Sequence, residues 1–143
     1  IVMRLAEFYL NYAECIYHIT GDADSKGDYG MSANEAINVV RDRSDVMMPH
    51  FTGNPTDFLV RYERERLIEF AFEDQRFWDV RRWKKGKTYF KTIEGAELVK
   101  QGNGNIILTR KAFSRQWDEK YNKFPIPYSE IKKNTKLYQN EGW

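Results

Sequence analysis

Leu5, Phe8, Tyr9, Tyr12, Ile16 and Ile19 recur at three- and four-residue spacing along residues 2–19, which predicts an amphipathic helix ended by Thr20-Gly21. A polar, glycine-bearing loop runs through Gly30. Ser32 and Glu35 then stand at capping-box spacing, and Ala36, Ile37 and Val40 define the face of a second helix. The small residues Ala6, Ala13, Ala33 and Ala36 let the two helices approach closely, as in tetratricopeptide-like αα-hairpins, although no clean period of about 34 residues repeats the pair. Pro49, Gly53 and Pro55 punctuate a loop from Val46 to Pro55. Thr56 or Asp57 next caps a long charged helix that breaks near Asp74, resumes through Trp83 and stops at Lys84–Lys87 around Gly86. Farther on, Glu97–Gln101 and Asn105–Thr109 flank Gly102-Asn103-Gly104, a hairpin signal. Pro125 and Pro127 exclude helix and favour extended chain, and Tyr128–Lys133 can add one helical turn. The fold class is therefore mainly α: a tetratricopeptide-like helical pair, a long charged helix, one small β-hairpin and an extended C-terminal tail.

The segment from Glu65 to Trp83 departs most from an ordinary surface helix. Leu67, Ile68, Phe70, Ala71, Phe72, Phe77, Trp78, Val80 and Trp83 point around nearly its full circumference, so most of its sides are expected to be covered. Its charges must then pair, and Arg61 with Glu65, Arg66 with Glu69, Glu73 with Arg76, and Arg76 or Arg82 with Asp79 have the spacing at which helical side chains meet.

The same segment resembles a known signature. Its order of Glu65-Arg66, Glu69-Phe70-Ala71-Phe72-Glu73, Arg76-Phe77-Trp78-Asp79 and Arg82-Trp83 is similar to that of the SusD/RagB outer-membrane nutrient-binding lipoproteins of Bacteroidota. Arg4–Cys15 with Asn34–Ser44 resembles that family's helix pair, and Phe124–Trp143 resembles its C-terminal tail. Three ordered blocks over about half the chain are more specific than any one short motif. The departures are Asp74 where the family has Gly, and Thr135 and Glu141 where it has Pro. Asp tolerates left-handed backbone, so the helix break is still expected at Asp74.

The chain has 143 residues, one domain's worth, and opens without an initiator Met or signal peptide. Family members are several times longer, so the resemblance implies a C-terminal domain, residues 1–143, of a longer chain ending at Trp143. The 23 Lys and Arg against 21 Asp and Glu leave no field suited to nucleic acid or an anionic membrane. Its one cysteine, Cys15, excludes an intrachain disulfide and reads as a small buried hydrophobe.

Candidate chemistry thins on inspection. Glu65, Glu69 and Glu73 share a helical face, the arrangement two carboxylates need for glycoside hydrolysis, but the neighbouring arginines remove the apolar pocket that a raised-pKa acid requires. His18 and His50 lack metal or triad spacing. Arg81, Arg82, Trp83, Lys84, Lys85 and Lys87 interleave bases with an aromatic as single-strand binders do, yet Asp79 and the carboxylates upstream blunt the run. Asp22, Asp24, Gly27 and Asp28 imitate a calcium loop, but Lys26 and Ala33 stand where oxygen donors are needed. Catalytic and metal residues are thus none, and no cofactor is called for. Tyr29 and Phe51, in loops, are the aromatics expected to be exposed for stacking on a sugar.

What the resemblance implies is non-catalytic glycan or nutrient binding at the cell outer membrane by a surface-exposed lipoprotein. Its ligand would pass to a SusC-type TonB-dependent transporter, and membrane attachment would come only through a lipid anchor on the missing N-terminal part. No nucleic-acid partner is expected. The helix pair taken alone also allows another class, a helical-repeat module that binds a peptide or partner protein.

Overall fold

The computed structural model describes residues 3–54 and 56–143; the expected helical start at Ile1-Val2 and loop end at Pro55 lie outside them. The chain divides into two compact units, Ile1–Glu73 and Asp74–Trp143.

In the first unit, α1 (Leu5–Thr20) and α2 (Ala33–Arg41) form the expected helical pair, and α3 (Phe58–Glu69) packs on α1. Gly21 closes α1 in the left-handed conformation, and the Ser32–Glu35 capping box opens α2 as the sequence indicates. The face by which α1 packs is not the one with the largest side chains. Ala6, Leu10, Ala13 and Ile16 are buried, whereas Leu5, Phe8 and Ile19 are exposed. Small residues let the helix axes close in, and the large ones are left on the far side. Cys15, expected to be a buried hydrophobe, is exposed for the same reason: it lies outside the Ala6–Ile16 stripe.

Two asparagines one turn apart on α2 hold the loop before α3. Asn38 Nδ2 donates to the Phe51 carbonyl at 3.0 Å and the Phe51 N–H donates back to Asn38 Oδ1 at 2.6 Å. Asn34 makes the same paired contact with Gly53, both bonds at 3.0 Å. This lateral clamp satisfies backbone groups that the loop buries without a strand partner. It also turns Phe51 inward. Expected to be exposed, Phe51 is 3% exposed and meets Phe58 edge-on, their ring centres 5.9 Å apart. Phe58 stacks in turn on Tyr17 and Tyr62.

The expectation of a helix covered on most sides does not hold for α3. It buries a narrow stripe, Phe58, Tyr62, Glu63 and Arg66, and leaves Val60, Leu67 and Ile68 open. The reason is that only the face carrying Phe58, Tyr62 and Arg66 is turned to the rest of the unit. Phe72 and Asp74 both take positive φ, 66° and 60°, so the chain turns away soon after the helix ends, and Phe70 is its last buried apolar residue before the break. Phe72 is fully exposed. The break at Asp74 is where the sequence places it.

The second unit holds α4 (Gln75–Arg82), the short α5 (Gly86–Tyr89), an antiparallel hairpin of β1 (Thr92–Lys100) and β2 (Ile106–Ser114), a 3-10 turn at Glu119–Asn122 and α6 (Tyr128–Lys133). The hairpin is longer than expected, with Leu98 opposite Leu108 and Val99 opposite Ile107. In the tail, Gln139 donates to the Ile126 carbonyl and accepts from its N–H, at 2.9 and 2.8 Å, as a strand partner would. The side-chain amide of Asn140 donates to the Phe124 carbonyl, and Trp143 Nε1 lies 3.1 and 3.2 Å from the Lys120 and Lys123 carbonyls. The polar residues of the tail thereby fold it back on the proline-containing segment.

Candidate functional site

The carboxylates first weighed for catalysis are committed to guanidiniums. Glu65 accepts from Arg41, and Glu69 from Arg4 and from both terminal nitrogens of Arg43, the latter at 2.8 and 3.0 Å. Glu73 takes the Arg4 Nε–H at 3.0 Å. These are tertiary pairs, in place of the expected Arg61–Glu65 and Arg66–Glu69 contacts within one helix. The reach of arginine across to a neighbouring element allows each carboxylate a charge-assisted contact from outside its own helix. Arg4 holds the Glu73 carboxyl below its ordinary range, whereas burial pushes that of Glu65 up against the pull of Arg41. One local pair is as expected: Arg82 Nε donates to Asp79 at 2.8 Å.

Beneath them, the Tyr62 hydroxyl donates to the Leu10 carbonyl at 2.7 Å and stands 3.0 Å from the buried Glu14 carboxylate, and Arg66 reaches Asn11 at 2.7 Å. Burial raises the Tyr62 phenol well above its ordinary value. The Asp22 and Asp24 carboxylates are engaged too, Asp22 by the Asp24 N–H and Asp24 by the Asn34 amide. His50 sits 2.9 Å from Asp42 at the surface. Of the two aromatics picked from loops, Tyr29 is half exposed and Phe51 belongs to the core of the first unit.

The second unit contains a site that loop reading does not find. Phe90, Trp117, Tyr121 and Trp143 form one string of rings with successive centres 5.4, 5.7 and 5.7 Å apart. Trp78, Phe77 and Phe124 form a second cluster, 5.1–6.1 Å apart. The Arg81 guanidinium bridges them, 3.6 Å from the Phe77 ring centre, 5.4 Å from Phe124, 5.5 Å from Phe90 and 5.8 Å from Trp117. A cavity of about 340 Å³ opens between the strings. Arg81, Arg115 and Lys123 reach its wall, and no carboxylate side chain lines it.

Local sequence explains this arrangement. The i to i+4 spacing of Phe77 and Arg81 on α4 stacks the guanidinium on the ring, and Arg81 Nη1 donates to the Phe77 carbonyl at 3.1 Å. Gly86 lets the Trp117 indole lie against the backbone, since a Cβ there would come within 1.9 Å of the ring. Trp117 Nε1 and Arg81 Nε are both shielded from solvent, and among the described residues neither finds an acceptor. Burial lowers the proton affinity of Arg81, though an arginine still carries its charge at neutral pH. The arrangement can stack on a flat apolar face and donate hydrogen bonds beside it. The sequence signal was present in Phe77 and Arg81 at helical spacing and in the aromatic-rich stretch from Trp117 to Phe124, but nothing local joins them.

The basic run is reassigned by the same geometry. Arg81 stands among rings, and Arg82 pairs with Asp79 while staying exposed, so Arg81 is drawn out of the run and Arg82 is partly neutralised.

The model of the SusD family matches residues 1–143. The starch-binding protein SusD of Bacteroides thetaiotaomicron is 31% identical over 144 aligned positions, covering 99% of this chain. The chain spans 21% of that relative's length. No solved structure matches.

Proposed function

The chain belongs to the SusD family, and from that premise we propose that it forms the C-terminal domain of a longer surface lipoprotein that captures a glycan at the outer membrane. The lipoprotein binds without chemistry and passes its ligand to a SusC-type TonB-dependent transporter, its lipid anchor lying upstream of these residues. The observation that carries the reading is the aromatic cavity of the second unit in a chain of this family. Sugar rings present flat C–H faces that stack on indole and phenyl rings, and a small number of convergent polar groups beside such rings is the usual composition of a ligand pocket. The ion-paired Glu65, Glu69 and Glu73 support the absence of hydrolysis, because each carboxylate faces an arginine. The half-exposed Tyr29 is a second contact candidate, whereas the buried Phe51 is not.

Affinity electrophoresis of the chain through gels containing a panel of polysaccharides tests the binding. Retardation by at least one polysaccharide without release of reducing ends is the expected result. A folded chain that runs unretarded through every gel contradicts it for these residues. Co-purification of the parent protein with a large β-barrel from detergent-solubilised outer membranes tests the delivery step.

A further inference from the structure

We propose that the cavity of the second unit takes an acidic saccharide, with Arg81 as the charge partner of a uronic-acid carboxylate; this rests on the glycan-binding reading and specifies its ligand class. Three observations lead there.

The first is the state of Arg81. Arg81 is partly buried, and a guanidinium that loses part of its hydration to an apolar surround is favoured when an anion or acceptors replace it. Here its neighbours are the faces of Phe77, Phe90, Trp117 and Phe124 together with one carbonyl of its own helix. Aromatic faces attract a cation but accept no in-plane hydrogen bond, so the edge of the guanidinium keeps donor capacity.

The second is the sign of the wall. Arg115 and Lys123 also line the cavity and no acidic side chain does. That differs from the first unit, where Glu65, Glu69 and Glu73 each meet an arginine. The side chains that line the cavity are thus cations and neutral groups, the indole of the last residue, Trp143, among them. The planar fork of a guanidinium suits a carboxylate bidentately, a geometry that lysine or a neutral donor cannot reproduce.

The third is the match of shape and polarity around that charge. The cavity volume, about 340 Å³, lies at the small end of ligand pockets, which run from about 300 to 1,000 Å³. The wall also holds Gln116 and Tyr121, neutral residues with polar groups, beside the cation. A ring that carries one carboxylate, hydroxyl acceptors and an apolar face meets all three features. A neutral sugar leaves the arginine unanswered, and a plain inorganic anion leaves the rings unused.

The test is calorimetric titration of the full chain at low salt with trigalacturonate, with its methyl ester, and with maltotriose. The expected result is that the acid binds at least tenfold more tightly than the ester and loses affinity as salt rises, and that Arg81→Gln removes this preference. Arg115→Gln and Lys123→Gln, at the cavity wall, should each weaken the acid several-fold and the ester less, so that the ratio between the two falls. They keep the test valid should Arg81→Gln fail to fold, which circular dichroism reports. Equal binding of acid and ester overturns the charge assignment and leaves a neutral glycan site standing. Acid preference that survives in a folded Arg81→Gln and in both other variants overturns the location. Binding of none of the three sugars overturns both this inference and the glycan reading of the cavity.

Discussion

Position 86 has no room for a methyl group, because the Trp117 ring occupies the place of a Cβ. Gly86→Ala should therefore displace the indole and cost about 1–3 kcal/mol, the usual range for overpacking. Urea unfolding followed by tryptophan emission reads both effects, and an unchanged midpoint with unchanged emission counts against the packing described. Charge at single residues has a pH signature as well. The Glu73 carboxyl is held below its ordinary value by Arg4, so its stabilising contribution is complete above the unfolded carboxylate range and is lost as pH falls through the lowered folded value. Glu73→Gln should accordingly flatten the fall in stability between about pH 5 and pH 3, measured by thermal melts across that window. Cys15 shows what residue type alone leaves open. Cysteine's general preference for the interior does not say which helical face is turned inward, and here the contact face consists of Ala6, Leu10, Ala13 and Ile16.

Elements were more legible than their contacts. The Thr20-Gly21 stop, the Ser32–Glu35 box, the break at Asp74, the hairpin about Gly102–Gly104 and the turn at Tyr128–Lys133 all follow from local rules, since caps, left-handed positions and prolines act within a few residues. The partners of α3 did not follow, because the spacing that allows Arg66 to meet Glu69 says nothing of an arginine arriving from elsewhere in the chain. Arg4 and Arg43 hold Glu69, and the Arg43 guanidinium has both terminal nitrogens on that carboxylate. Glu69→Ala should then cost about 2–3 kcal/mol, below the full value of a buried pair because Arg43 is partly exposed. Lys133→Ala, whose ion pair with Glu130 spans 2.7 Å at the surface, should cost less than about 1 kcal/mol. Chemical denaturation of the two variants beside the parent separates these outcomes; equal losses would mean that the tertiary pairs contribute no more than a surface one.

For the whole molecule, membership of the SusD family was readable from three ordered blocks, whereas the candidate site was not. Loops usually carry exposed aromatics, the rule that points to Tyr29 and Phe51, and the paired hydrogen bonds of Asn38 defeat it at Phe51. The cavity draws on α4, the residues after α5, the stretch following β2 and the last residue of the chain, a convergence that no window of sequence displays. The division into two units carries a prediction at the same scale. Phe72, fully exposed with positive φ, stands two residues before the second unit begins, so brief chymotrypsin treatment should cut there first and leave fragments 1–72 and 73–143. Mass spectrometry of the first products decides it, and initial cleavage inside either unit tells against the division.

The hairpin has a further consequence. Leu98 and Leu108 face one side of the ribbon and Val99 and Ile107 the other, all of them exposed. In a sheet with one wet face, a slip of one residue would turn every apolar side chain into water and so correct itself. This ribbon is aliphatic on both sides near its tip, and slipping one place exchanges one such side for the other at little cost. Its alignment is therefore kept by the turn, where Gln101 N–H donates to the Asn105 carbonyl at 2.7 Å and Gly104 supplies a φ of 86°. The five residues from Gln101 to Asn105, more than the eighteen paired ones, determine which of two nearly equivalent ribbons this chain forms.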